Sequence, residues 1–442
     1  MKIHSVPWLI AAVVLGFSLL AFIHKFEVPG TSCYYIGSLS PDIVCIRPWL
    51  YYGAWLAAAV MAGVGVFGPI PDAVKRILTH PLLWTALLFI VLPFVAGANP
   101  FKGQWTGFIG IANTMVIFAL FASGFNLLFG HVGELSFGHA MFFTIGAYST
   151  ALYSKGFNVE LFGLRLHHAA ADSLLIALLV SIGVALVWAW FLARLVVPRS
   201  SGIYFSMITL AFAQVIFFIT YRWSDLTGGE DGLQGIARPN PTGYGWLHDS
   251  GHFYWFCAAF VFLALCLLYW VLQSPFGSVL HAIRENKQRA RFLGYDVDKF
   301  RVNAFVLSAL FPAIAGWLWT YYQQSINPEA GSVQYSGRVV MMSLLGGMQT
   351  FLGPIVGASV YYEIQNNVSQ LTKYWEAWVG IVFVVFVLVG PRGIMGLLDD
   401  IRHYGFATAI KRGFSRTARV QTDMREELPS AIEDPVATKA SP

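Results

Sequence analysis

A chain of 442 residues that is 57% hydrophobic and only 12% charged is not built as a soluble domain, because soluble proteins carry about 25% charged residues. Its net charge of +5 is read loop by loop against a bilayer, not as a nucleic-acid footprint. The composition predicts an all-α polytopic membrane protein.

Taken in chain order, apolar runs mark candidate crossings near 7–23, 49–69, 82–97, 107–129, 136–153, 172–197, 203–221, 253–273, 303–323, 338–347, 350–367 and 376–390. Most can cross a hydrocarbon core of about 30 Å, which gives about 11–12 transmembrane or broken helices. The run at 338–347 is too short for a full crossing and ends in Gly346-Gly347, so a tilted, broken or re-entrant segment is expected there. Lys2 followed by an apolar stretch resembles a signal peptide. Its length, and the lack of a small-x-small cleavage site, favour an uncleaved first helix.

Basic residues orient the chain. Arg284, Lys287, Arg289, Arg291, Lys299 and Arg301 crowd the segment 274–302, and Arg392, Arg402, Lys411, Arg412, Arg416, Arg419 and Arg425 crowd the C-terminal tail. Both belong inside by the positive-inside rule, so an even number of crossings separates them and the short segment counts as one. The same parity puts both termini in the cytoplasm. It places residues 24–48 outside, with Cys33 and Cys45 on one loop, either as a disulfide or as two unpaired thiols. Cys257 and Cys266 fall within an apolar run and read as packing residues. Three regions follow: an N-terminal extension with two helices over 1–81, a core over 82–398, and a polar, partly disordered tail over 399–442.

One stretch stands out, LLFGHVGELSFGHAMFFTIGAYSTALYSKG at 127–156, apolar but broken by Gly130, Gly133, Gly138 and Gly146. Interior glycine costs a helix about 1 kcal/mol against alanine. It survives in a bilayer where helices pack closely or line a cavity. Parity puts Gly130 to Gly133 at the cytoplasmic turn between two helices. His131 and His139 are expected to pack or line a pathway, since no third metal ligand stands at helical spacing. Glu134 is expected as a solvated charge on that turn, or one facing a partner. Asn126 and Gln214 either tie helices together or hydrogen-bond a passing polar solute. Glu363 lies toward the outer end of its helix and is expected to be hydrated. Tyr321-Tyr322 and Tyr361-Tyr362 sit near helix ends, as interfacial aromatic residues do.

The chain carries no Walker A sequence, HExxH, CxxC pair or GxSxG. Intramembrane acids, which ion-coupled carriers retain for use, are scarce. Energy, if needed, is therefore expected from a partner. The segment 278–293 shows helical spacing, with Val279, Ile283, Ala290 and Leu293 near one face. Glu285, Lys287, Gln288 and Arg291 take the other, and Gly294 ends the helix. On composition alone such a helix either lies on the lipid surface or solvates a connection.

This segment resembles the EAA-type coupling loop of ABC importer permeases, in the form found in high-affinity branched-chain amino-acid permeases of the LivM type. Five further segments match that family in order: FNLLFGHVGELSFGHAMFFTIGAY (125–148), RSSGIYFSMITLAFAQV (199–215), LTGGEDGLQGI (226–236), SLLGGMQTFLGPIVGA (343–358) and GPRGIMGLL (390–398). The resemblance implies a multi-pass permease of the bacterial inner membrane, not an enzyme, in which Arg284, Glu285, Lys287 and Gly294 belong to an ATPase-coupling loop. It implies a translocation pathway touched by Asn126, Ser136, His139, Gln214, Gly346 and Gly347, and an outer loop at Thr227, Gly228 and Gly229. It also implies a homologous second permease, two cytoplasmic ATPase subunits and a periplasmic substrate-binding protein. ATP and Mg would be held by the partners, with no cofactor or metal in this chain. Branched-chain amino acids are the expected solute, with urea, amides or aromatic acids, or a self-contained secondary carrier, as alternatives. Two positions depart from the family pattern: Glu134 stands where an apolar residue is usual, and Gln214 where a glutamate is usual.

Overall fold

The computed structural model describes residues 80–95, 108–161, 164–171, 173–239, 246–389 and 393–397. The first two predicted crossings, Cys33, Cys45 and the C-terminal tail lie outside these residues. The chain divides into two compact units, the second comprising Thr85–Ala96 with Ile109 onward.

The protein is an all-α polytopic membrane protein. Each predicted crossing from residue 82 onward falls on a helix: α1 (Pro81–Val95), α2 (Phe108–Asn126), α3 (His139–Lys155), α4 (Leu174–Val196), α5 (Ile203–Arg222), α7 (Ser250–Gln273), α10 (Val297–Gln323), α11 (Val333–Gly346), α12 (Gly353–Leu371) and α13 (Trp375–Val389). A single turn, α6 (Ser224–Thr227), follows α5, and two short helices, α8 (Pro275–Glu285) and α9 (Lys287–Phe292), fill the basic segment. Two small antiparallel ribbons were not expected. One pairs β1 (Phe157–Leu161) with β2 (Leu164–His168), and the other pairs β3 (Leu233–Gln234) with β4 (Ser325–Ile326).

Five spans among the described residues are long and apolar enough to cross a membrane, and their burial sorts them. The spans of α2 and α10 are 89% and 78% buried, whereas those of α4, α5 and α7 are 28% buried. The first two are therefore the axis of the bundle. The other three expose apolar side chains such as Leu179, Val187, Ile203, Met207, Leu263 and Trp270, the composition a lipid-facing surface requires.

Glycine sets the closest approaches. A Cβ on Gly146 of α3 would stand 2.4 Å from the Ala313 carbonyl of α10, and one on Gly316 of α10 would stand 2.1 Å from the Phe143 carbonyl of α3. Backbones can come this near only without side chains between them. Polar ties follow the same seam: His139 Nε2 to Ser308 Oγ at 3.0 Å, and Thr320 Oγ1 to the Ala147 carbonyl at 3.1 Å. Ser181 of α4 adds a bond to the Ala313 carbonyl at 3.2 Å. In α1, Pro93 cannot donate to the carbonyl of Phe89, four residues back. The Tyr254 hydroxyl of α7 donates there instead, at 2.6 Å.

At one end of the bundle Arg238 donates to the terminal carbonyls of α10, Tyr321 at 3.0 Å and Tyr322 at 3.2 Å. A cation suits the negative end of a helix. The other end carries α8 and α9 and is called the basic end below.

Candidate functional site

At the basic end, α2 does not stop cleanly. It widens into a π-helical stretch, Leu127–Val132, that Gly133 closes in the left-handed conformation (φ 81°). The amides of Gly133 and Glu134 both donate to the Leu128 carbonyl, at 3.1 and 3.3 Å. His131 Nδ1 lies 3.3 Å from the Asn126 carbonyl and closes the widened turn from the side. Gly130 lets the loop after α11 approach, since a Cβ there would meet the Met348 carbonyl at 2.1 Å.

The basic segment packs onto this turn. Ser274 is extended and Pro275 takes the first helical position of α8, where a missing N–H costs nothing. Gly277, Val279, Leu280 and Ile283 are buried, and a cluster of Val279, Ile283, Ala290 and Val297 forms a small separate core with Phe300 against it. The single helix expected over 278–293 is in fact two. Asn286 is extended (φ −159°, ψ 107°), and its side chain accepts from the Arg289 amide at 2.9 Å to start α9. The break turns Leu293 outward, to 74% exposure, where a continuous helix would have placed it on the buried face. Gly294 ends α9 with φ 87°.

Three cations of the basic end reach inward. The Arg284 guanidinium donates to the Gly130 carbonyl. Burial lowers its pKa, but a guanidinium starts high enough to stay charged. Lys287 Nζ lies 2.9 Å from Glu134 Oε1, and Arg301 Nε donates to the same oxygen at 2.6 Å. Arg301 also donates to the Ser200 carbonyl at 2.7 Å and to Asp298 at 3.2 Å. Glu134 is 1% exposed, which corrects its expected solvation. It is the hub at which the α2–α3 turn, the start of α9 and the first turns of α10 meet, and through Arg301 it also reaches the α4–α5 turn. Glu285 points the other way: its side chain is 75% exposed and, among the described residues, pairs with His281 at 3.9 Å. Phe292, 89% exposed, lies nearby in sequence and was not singled out from the sequence.

The other predicted residues are spread through the bundle. Asn126 Nδ2 donates to the Thr350 carbonyl at 3.4 Å, tying α2 to the loop after α11. Ser136 Oγ accepts from the Gly138 amide at 3.3 Å at the start of α3. His139 is ringed by Phe125, Phe142 and Phe305, with centroids 5.4 to 6.2 Å away. Gln214 is half-buried on α5. Gly346 and Gly347 form the close end of the α11–α12 hairpin, where a Cβ on Gly346 would stand 1.7 Å from the Gly353 carbonyl. Thr227 bonds the Thr220 and Trp223 carbonyls, both at 2.6 Å. Gly228 is left-handed (φ 76°), and a Cβ there would stand 2.1 Å from the Gly232 carbonyl, so the turn is tightly closed. Among the described residues no group of three or more His, Cys, Asp or Glu could hold a metal.

Sequence reasoning passed over Arg338. It opens the predicted run at 338–347 and so reads as a flanking charge, but α11 starts five residues earlier and carries Arg338 inside the helix. Its guanidinium lies 4.9 Å from the centroid of the Tyr335 ring. Tyr335 and Tyr362 in turn contact Phe118 of α2, with centroids 6.1 and 4.9 Å apart.

The sequence model of a family described as branched-chain amino acid transport system / permease component matches residues 107–390, well over half of the chain. The chain belongs to this permease family. It is 26% identical to the high-affinity branched-chain amino acid transport system permease protein LivM of Salmonella typhimurium over 331 residues, 70% of this chain and 74% of that one. The LivM protein of Escherichia coli is equally similar, at 26% over 335 residues. The LivH permease of Salmonella typhimurium is 24% identical over 296 residues, 63% of this chain and 91% of LivH. No solved structure matches the chain. The family match begins just before α2 and ends just after α13, so the hub, the basic end and the α11–α12 hairpin all lie inside the permease region.

Proposed function

We propose that this permease is the membrane-spanning subunit of an ATP-driven importer that carries a small polar solute, branched-chain amino acids first among them, into the cytoplasm. In this reading the basic end faces the cytoplasm of a bacterial inner membrane and receives an ATPase subunit. A homologous second permease completes the pathway, and a soluble binding protein delivers solute at the opposite end. Both termini lie inside.

The observation that carries this is the construction of the basic end. A surface segment has its own apolar cluster and is bolted by Arg284, Lys287 and Arg301 to the turn between α2 and α3. A stiff contact of this kind passes a push on α8 and α9 directly into α3 and α10. The same segment presents Glu285, Phe292 and Leu293 outward, an apolar and acidic surface on which a partner can bear. The chain needs little affinity of its own, because a binding protein supplies it.

Co-purification with an ATPase subunit tests the reading. Glu285→Lys and Phe292→Asp, each on the exposed side, should release the ATPase and abolish ATP-dependent uptake while leaving the chain folded. Normal assembly and uptake in both variants would refute it. The same machinery carrying urea, amides or aromatic acids is the second reading, since the 16% aromatic content weakens the carry-over of branched-chain specificity. A self-contained carrier would move solute without any ATPase.

A further inference from the structure

We propose that Arg338 is a substrate-contacting residue of the pathway and recognises a carboxylate on the transported solute. The inference rests on the transport reading above and narrows it, because urea and simple amides carry no such group.

Depth comes first. Arg338 precedes Gly346 by eight residues of one helix, about 12 Å at the α-helical rise. Gly346 lies at the basic end, where the loop that follows it reaches Gly130. Arg338 therefore stands near the middle of a hydrocarbon core about 30 Å thick. An ionised side chain at that depth is costly, and is retained where it faces a cavity and does work.

The face it occupies is not a lipid face. Gly346 abuts Gly353 and Gly357 abuts Met342, which fixes the antiparallel register of α11 and α12. Carried outward, that register sets Arg338 level with Tyr361, which with Tyr362 lies mid-helix in α12 and not at the interfacial end expected from the sequence. The Arg338 guanidinium lies 4.9 Å from the Tyr335 ring centroid, and Tyr361 packs edge-on against Tyr362 with centroids 5.6 Å apart. Over the next one to two turns beyond this level α12 carries Glu363, Gln365, Asn366 and Asn367, all half-buried. With 19 residues α12 is long enough to cross, yet it is not among the apolar spans. The outward faces of α4, α5 and α7 show apolar residues instead. A half-buried arginine at mid-depth in such a protein looks into water or onto a partner.

The chemistry left open is that of an anion. Among the described residues the ion pairs all lie elsewhere, and none joins a carboxylate to Arg338. On the same two helices Ser336 Oγ, Gln365 Oε1, Asn366 Nδ2 and Asn367 Oδ1 are buried without a hydrogen-bond partner. A guanidinium offers a planar fork that suits a carboxylate, and the neighbouring tyrosines offer hydroxyl donors and ring surface for an apolar side chain.

The test uses the complete complex in proteoliposomes, with its ATPase and loaded binding protein. Labelled leucine and benzoate serve as carboxylate probes, and urea and acetamide as neutral ones. Arg338→Gln should lower the maximal uptake rate of the carboxylate roughly tenfold or more, the size expected when one charged hydrogen-bond partner is lost. Assembly and ATP hydrolysis stimulated by the binding protein should stay within about twofold of wild type, and Arg338→Lys should keep part of the uptake. Unchanged carboxylate uptake in Arg338→Gln would overturn the proposal. So would loss of assembly in both variants, which would make Arg338 a packing group. A wild-type complex that moves urea or acetamide but neither carboxylate would also overturn it, while leaving the ATP-driven reading intact. Absence of any co-purifying ATPase would instead remove that reading.

Discussion

Replacing Glu134 by alanine takes the shared oxygen away from Lys287 and Arg301 while leaving the Arg301 guanidinium inside the protein. Arg301 is 4% exposed and Glu134 1%, so the loss is that of a buried pair broken from one side, worth about 3–5 kcal/mol. The Ser200 carbonyl and Asp298 still accept from Arg301, at 2.7 and 3.2 Å, which points to the lower end, about 3 kcal/mol. Glu134→Gln keeps the volume and one acceptor, and should cost about half as much. Lys287 is 37% exposed, so Lys287→Met should cost no more than about 1 kcal/mol after solvent screening. The double variant Glu134→Leu with Arg301→Met leaves neither charge buried, and should recover most of the stability lost by Glu134→Ala. Unfolding in mixed micelles with rising SDS reads these differences. ATP-dependent uptake reads whether the hub also transmits motion, and the double variant should be stable yet poorly coupled. A Glu134→Ala protein within about 0.5 kcal/mol of wild type would refute the argument, as would a double variant less stable than either single one.

Gly316→Ala places a methyl 2.1 Å from the Phe143 carbonyl and should force α3 and α10 apart, lowering thermal stability sharply. Gly183→Ala, with nothing within 4 Å, should leave it unchanged or slightly raised. Equal melting temperatures would contradict the close-packing account. Ser308→Ala removes the partner of His139 Nε2 and should cost about 1–3 kcal/mol for the unpaired buried nitrogen. Uptake should be preserved and chelators should have no effect; a chelator-sensitive protein would reopen the metal reading of His139. Asn286→Ala should weaken the start of α9 by about 1 kcal/mol, seen as faster amide exchange over 287–293 with no change in α10. Faster exchange throughout α10 would show that the two elements unfold together.

The helices from residue 82 onward were legible because their signal is local: apolar length between charged loops, with orientation supplied by Lys and Arg. What escaped is non-local or depends on one backbone angle. The apolar spacing of 278–293 runs on through Asn286, so nothing in its period announces that this residue turns extended and rotates Leu293 to the surface. Glu134 looked like a solvated turn residue because its partner Arg301 is 167 positions away. Arg338 looked like a flank because polar Ser332, Gln334 and Ser336 hide the true start of α11. The glycines of the family motifs were conspicuous, but only the structure shows that Gly346, Gly353 and Gly357 face carbonyls of a neighbouring segment. The β1–β2 ribbon carries too few residues to register against the surrounding apolar runs.

The α11–α12 hairpin bears on how the chain enters the membrane. Fourteen helical residues in α11 reach only about 21 Å, short of the hydrocarbon thickness, and α12 is too polar to be released into lipid alone. Neither can partition from the translocon as an independent stop-transfer segment. Their glycine contacts bring them together as a unit, and Phe118 of α2 already offers the ring surface that Tyr335 and Tyr362 need. Insertion of this half of the protein is therefore templated: helices made earlier provide the solvent that the later hairpin cannot find in the bilayer.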